Sequence, residues 1–146
     1  MSRRFRALKI WLTLKYYGTE RLAAAIADDV VLAEYMAERV EDADDLELLA
    51  PVQLSICCFR YVPPGARERL AGNDAERQSV DAELNRLNER IMRRVQRGGK
   101  AYLSNAMLRS RFALRACIIN FRTTRADIDL TLKVVRDAAR EIAAED

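Results

Sequence analysis

Apolar residues recur at helical spacing in four stretches of this chain, and shorter apolar runs with strand character lie between them. Residues 4–17 predict a helix that is apolar nearly all round, through Phe5, Leu8, Ile10, Trp11, Leu12, Leu14, Tyr16 and Tyr17. Such a helix needs cover on several sides. Gly18 ends it, and Thr19 is placed to N-cap a second helix to about Val40. Leu22, Ile26, Val30, Ala33, Ala37 and Val40 form the apolar stripe of that helix. Pro51 splits the next apolar run into a short strand at residues 46–50 and a longer one from Val52 to Val62. The segment PPGARERLAGN reads as a loop from its proline and glycine content. Asn73 and Glu76 have capping-box spacing and open a long helix to about Arg97, striped by Val80, Leu84, Leu87, Ile91 and Val95. Gly98 and Gly99 stop it. AYLS predicts a short strand and residues 107–120 a longer one. Thr124 and Asp127 form a second capping box, opening a last helix striped by Ile128, Leu132, Val135, Ala139 and Ile142.

Two helices, two strands, a helix, two strands and a helix make an α+β fold: a small antiparallel sheet of about four strands with helices on one face. That layering leaves the other sheet face bare. The all-round apolar first helix also lacks cover within a chain of this size. Both features predict that a neighbouring domain or subunit completes the surface.

The strand FALRACIINF places one arginine in an apolar run. By strand alternation, Phe112, Leu114, Ala116 and Ile118 point one way, and Ala113, Arg115, Cys117 and Ile119 the other. An unpartnered buried guanidinium is very costly, so an anion is expected to meet Arg115. From the residues alone, an acid of the segment EDADD, residues 41–45, could serve as a structural partner.

Composition narrows the chemistry. The chain has 146 residues, enough for one compact domain, and a net charge of +3, too small to indicate a nucleic-acid partner. Arg90, Arg93, Arg94 and Arg97 recur on one helix, but Glu83 and Glu89 relieve them, and a solvated face is the expectation. Arg3, Arg4 and Arg6 are read as a solvated helix start or as salt-bridge donors to another domain. Trp11 and Tyr16 are read as packing. No apolar run reaches the roughly 18 residues of a membrane span. Lys9 and Lys15 interrupt the only stretch resembling a signal peptide, so a cytoplasmic protein without a membrane role is expected. Histidine is absent, which removes the commonest general base and metal ligand. Cys57, Cys58 and Cys117 lack metal or redox spacing and are expected to pack as small hydrophobes. No glycine-rich phosphate loop is present. Taken alone, the chain is poorly equipped for catalysis.

Four segments carry a resemblance. RRFRALKIWLTLKYYG, LAAAIADDVVLAEYMAERV, LSICCFRYVP and AYLSNAMLRSRFALRACIINFRTTRADID are similar, in this order, to the C-terminal portion of the group II pyridoxal-phosphate-dependent amino-acid decarboxylases, which include the aromatic-L-amino-acid decarboxylases. Residues 63–97 are the least distinctive part. The resemblance implies the C-terminal small domain of a fold-type I pyridoxal-phosphate enzyme, with residues 1–18 as an interdomain helix and residues 19–146 as the small domain. The large cofactor-binding domain is expected outside this chain. In this family the Schiff-base lysine directly follows a histidine, whereas none of Lys9, Lys15, Lys100 and Lys133 does. No cofactor-binding, catalytic or metal residue is therefore expected here. The isolated chain is expected to be inactive.

The resemblance also implies a role for Arg115. The family's arginine at this position of the terminal strand binds the substrate α-carboxylate. A guanidinium can hold a carboxylate through two parallel charge-assisted bonds, which lysine cannot reproduce. Decarboxylation requires the breaking Cα–C bond to be held roughly perpendicular to the cofactor ring; the cofactor supplies the electron sink and the protein the orientation. The implied whole is a homodimeric carboxy-lyase that converts an L-amino acid, an aromatic one, to the amine and CO2. A different class of reading remains open: a stand-alone, non-catalytic interaction or dimerisation module derived from that domain.

Overall fold

The computed structural model describes residues 5–145. Helix α1 (Ala7–Tyr17) is followed by α2 (Thr19–Glu41), with Gly18 between them at φ 78°. That left-handed value suits glycine, which takes the N-cap position; Thr19 is the first residue inside the helix instead of its cap. Strands β1 (Leu46–Leu48) and β2 (Ile56–Tyr61) come next, then a short helix α3 (Ala66–Leu70) and the long α4 (Asp74–Gly98). Strands β3 (Ser104–Leu108) and β4 (Arg111–Cys117) form a hairpin, and α5 (Arg125–Ala143) closes the chain's helical layer.

The sheet has the order β1-β2-β4-β3, with every neighbouring pair antiparallel. Helices α2, α4 and α5 pack on one face of it. The core lies between: Ala33, Met36 and Val40 of α2, Phe59 and Leu114 of the sheet, Ile91 and Val95 of α4, and Val135 and Ile142 of α5. The α+β class and the one-sided helix layer are as the periodicity predicts.

Three local readings are corrected. The expected loop at residues 63–73 contains α3, whose Ala66 joins Val62, Val80 and Leu84 in a small second core. The expected strands at AYLS and 107–120 are instead one tight hairpin, with Arg109 at φ 49° and Ser110 at φ 66°. Two consecutive positive φ values make a two-residue turn whose twist matches the strands, a geometry usually signalled by Asn-Gly. Arg-Ser gives no such signal. The run predicted as one strand from Val52 to Val62 breaks near Leu54, which takes φ 53° in the turn closed by the Gln53–Ile56 bridge. Of the two capping boxes, Thr124 and Asp127 satisfy each other's backbone, whereas Asn73 accepts from the Glu76 amide and no reciprocal bond accompanies it among the described residues.

Helix α4 also enters the sheet with polar side chains. Asp81, Asn85 and Asn88 are spaced by four and three residues and so share one face of the helix. The β2–β4 register runs from Ile56/Cys117 to Phe59/Leu114. Beyond it, Tyr61 N–H donates to Asn88 Oδ1 at 2.8 Å, and Asn88 Nδ2 donates to Tyr61 O at 2.9 Å. Phe112 N–H donates to Asn85 Oδ1 at 2.6 Å, and Asn85 Nδ2 donates to Ser110 O at 2.9 Å. Two asparagines thus serve backbone groups that a continuing ladder would have paired, which keeps buried polar groups satisfied.

Asp81 reaches further, to Arg60. This arginine is fully buried. Its Nη1 donates to Asp81 Oδ1 at 2.7 Å and its Nε to Glu47 Oε2 at 2.7 Å. Nη2 lies 2.6 Å from the same Glu47 oxygen without hydrogen-bond alignment. Arg111 closes a ring, 3.2 Å from Asp81 Oδ2 and 3.5 Å from Glu47 Oε1. Two guanidiniums and two carboxylates balance in charge. Removing one partner from such a group leaves an uncompensated buried charge, which costs far more than the intact pair contributes. Asp81→Ala is expected to destabilise the chain by about 3 kcal/mol in urea unfolding. A loss below about 0.5 kcal/mol, the level of an ordinary surface change, would contradict the assignment.

Candidate functional site

Directly opposed residues of antiparallel strands share a sheet face. Cys58 faces Arg115 on one side and Ser104 faces it on the other. Ile56 opposes Cys117, and Ala106 opposes Ala113. The face away from the helix core therefore carries Ile56, Cys58, Ser104, Ala106, Ala113, Arg115 and Cys117. Its far end is the Glu47–Arg60–Arg111–Asp81 ring. The other side of β4, with Phe112, Leu114 and Ala116, is buried against the helices. The alternation read from the sequence is the one observed.

Arg115 is half-buried, and its guanidinium has no carboxylate or hydrogen-bond partner among the described residues; Ser104 Oγ donates only to its backbone oxygen, at 3.2 Å. No acid of residues 41–45 pairs with it among the described residues, and the segment is held by other arginines. Asp45 pairs bidentately with Arg136, at 2.7 and 2.9 Å. The Asp44 carbonyl accepts from Arg67 at 2.6 Å, and the carbonyls of Ala43 and Leu46 accept from the same guanidinium. The arginine that is fully buried and matched with acids is Arg60, which the sequence reading passed over. Arg115 stands with its positive charge uncommitted, beside small and apolar neighbours.

The three cysteines separate by face. Cys57 lies in the core, and burial pushes its thiol up to about 12. Cys58, half-buried next to Arg115, is also raised by burial; the Arg115 charge pulls the other way and the Cys117 thiol adds to the rise. Cys117 is exposed, contrary to the expectation that all three pack as hydrophobes. Ile119 and Phe121 just beyond it are exposed as well.

The remaining candidates are placed as follows. Arg93 pairs with Glu89 at 2.6 Å, and Arg94 with Glu141 and Glu145 at 3.2 and 2.7 Å. Glu83 pairs with Arg69 at 2.9 Å instead of with an arginine of its own helix. This is a solvated, internally balanced face. Arg3 and Arg4 lie outside the described residues, and Arg6 precedes α1. Helix α1 has no buried residue: Trp11 is 55% and Tyr16 82% exposed, with Lys15 over the Trp11 ring and Tyr16 edge-on to Tyr17. Its demand for cover is unmet among the described residues. No group of three potential metal ligands occurs among them, and no described helix is long and apolar enough to cross a membrane.

The molecule is thus an α+β domain with helices on one sheet face and an uncommitted guanidinium on the other. Residues 1–62 match the pyridoxal-dependent decarboxylase conserved domain. Over 143 residues the chain is 33% identical to the aromatic-L-amino-acid decarboxylase of Bacillus atrophaeus, covering 98% of this chain and 27% of that protein. The crystal structure of Oryza sativa TDC with PLP superposes with a TM-score of 0.77 at 26% identity, over 96% of this chain and 28% of that one. Mouse CSAD shares the fold, with a TM-score of 0.82 at 24% identity, over 94% of this chain and 28% of that one. In sequence and fold, the chain is similar to pyridoxal-dependent decarboxylases. It spans about a quarter of the length of the curated relatives it matches.

The opposing influences on Cys58 give a test of the site's electrostatics. Arg115→Met removes the cation that favours the thiolate, so the pH midpoint for alkylation of Cys58 should move upward. Peptide-resolved mass spectrometry of iodoacetamide labelling would read it, with Cys117 labelled first and Cys57 last. An unmoved or lowered midpoint would show that Arg115 exerts no field on that face.

Proposed function

We propose that this chain is the C-terminal part of a pyridoxal-phosphate-dependent carboxy-lyase that decarboxylates an L-amino acid, and that Arg115 binds the substrate α-carboxylate. The observation that carries the reading is the uncommitted Arg115 guanidinium on the helix-free sheet face, flanked by Cys58 and Ser104. A half-buried cation with no internal acid is suited to an anion from outside, and its planar fork suits a carboxylate held by two parallel bonds. The names of the curated relatives support an aromatic substrate: aromatic-L-amino-acid, tryptophan and tyrosine decarboxylases.

In this reading residues 1–18 form an interdomain helix, residues 19–146 the small domain, and a large cofactor-binding domain covers both α1 and the Arg115 face. The bare circumference of α1 supports that cover. The complete enzyme is a cytoplasmic homodimer. The residues present here do not fit the cofactor. Lys133 is paired with Asp137 at 3.7 Å on the outside of α5, Lys9 and Lys15 lie on α1, and Lys100 follows the end of α4. None has a histidine beside it, and the sequence holds no glycine-rich phosphate loop. The contribution of this chain is to hold and orient the carboxylate by charge and hydrogen bonding.

Arg115→Met in the complete enzyme is expected to lower kcat/KM by on the order of 2–5 kcal/mol, with Arg115→Lys recovering only part. Cofactor absorbance and fold should persist. Near-normal kcat/KM for Arg115→Met would overturn the carboxylate role and leave Arg115 a structural residue. For the isolated chain, borohydride reduction with pyridoxal phosphate is expected to leave no stoichiometric single-lysine adduct in the mass spectrum. Such an adduct, with amine produced from an L-amino acid, would contradict the assignment of the cofactor to another domain.

A further inference from the structure

The β2–β4 register brings together two cysteines that lie far apart in the sequence. Cys58 stands opposite Arg115, and Cys117 stands opposite Ile56. Cys58 and Cys117 are therefore diagonal neighbours on the helix-free face, with Arg115 beside both. Cys117 is exposed and Cys58 half-buried, while Cys57 points the other way into the core. We propose that Cys58 and Cys117 form a two-coordinate thiolate site for a soft monovalent cation of the copper(I) class, with the Arg115 guanidinium balancing its charge. The site does not rest on the carboxylate role of Arg115.

Distance and charge both select this ligand. Diagonal neighbours lie about 7–8 Å apart at Cα. A disulfide needs about 4.4–6.8 Å, so the two thiols do not join directly without backbone movement. A cation in line between two thiolates sets the sulfurs about 4.5 Å apart, twice a metal–sulfur bond of about 2.3 Å. Two cysteine side chains turned toward each other across a diagonal pair reach that span. Thiolates are soft ligands that select copper(I), an ion that two of them satisfy. Structural zinc takes four ligands, and no group of three potential ligands occurs among the described residues. On binding, each thiol releases its proton to solvent as its sulfur bonds the ion, and nothing is oxidised or reduced. Two thiolates with one monovalent cation leave a single negative charge. Arg115 carries the matching positive charge, and its guanidinium meets no acid among the described residues.

Titration of the reduced full chain with copper(I) under anaerobic conditions, in competition with a chromophoric copper(I) chelator, should show one ion held per chain. X-ray absorption at the copper edge should show two sulfur neighbours and no nitrogen or oxygen. The bound ion should protect both Cys58 and Cys117 from iodoacetamide. Cys117→Ser changes an exposed side chain and should leave the circular dichroism spectrum unaltered. It should weaken binding by more than the ~10–100-fold typical of losing a supporting residue, as should Cys58→Ser. Arg115→Met should fall within that ~10–100-fold range, whereas Arg115→Lys, which keeps the charge, should bind almost as tightly as the unaltered chain. No ion retained against the chelator, unchanged binding by Cys117→Ser or Arg115→Met, a copper shell of nitrogen and oxygen, or a Cys58–Cys117 disulfide formed readily on mild oxidation would overturn the proposal.

Discussion

The buried cation of Arg60 is the constraint around which one end of this domain is arranged. A guanidinium with no exposure is tolerated only with charge and hydrogen bonds supplied from fixed positions. Glu47 supplies them from the neighbouring strand and Asp81 from α4, while Arg111 balances the second acid. For Asp81 to arrive there, α4 must press against the ends of β2 and β4. Asn85 and Asn88, on the same helix face, take over the strand hydrogen bonds lost at that point. The helix, the strand ends and the ion ring are one interlocked unit.

That unit consumes the acids near the sheet's far end and leaves the other half of the face without any. Arg115 stands two residues along the strand from Ala113, which neighbours the ring's position, but no carboxylate reaches it among the described residues. The same sheet face thus carries two arginines fixed as structure, Arg60 and Arg111, and a third, Arg115, whose charge meets no acid among the described residues. Cys58 registers the difference, since its thiol senses the Arg115 charge against the rise from burial. The helical layer on the opposite face fixes β4 through Phe112, Leu114 and Ala116, which gives Arg115 a rigid base.

Much of this was legible in the residues. Helical periodicity located α2, α4 and α5 because each buries a continuous stripe, and alternation put Arg115 on the face opposite Phe112 and Leu114. The hairpin turn was hidden because Arg109-Ser110 adopts a left-handed geometry without glycine or asparagine. Helix α3 was hidden because it is five residues long inside a proline- and glycine-rich segment. Arg60 carried a readable signal: in ICCFRYV it is as isolated among apolar neighbours as Arg115 is in FALRACII. What the sequence could not convey is that Asp81, which is on a different element, reaches one of the two arginines and not the other. That depends on the wedge of α4 into the sheet, a tertiary feature with no local pattern beyond the 4,3 spacing of Asp81, Asn85 and Asn88.

The division of labour between the two arginines is tested most directly by a crystal structure of the complete enzyme with an unreactive amino-acid analogue bound. The account predicts the analogue's carboxylate within hydrogen-bond distance of both terminal nitrogens of Arg115, with Arg60 still held by Glu47 and Asp81. An Arg115 paired instead with an acidic side chain of the covering domain, and a carboxylate bound elsewhere, would contradict it.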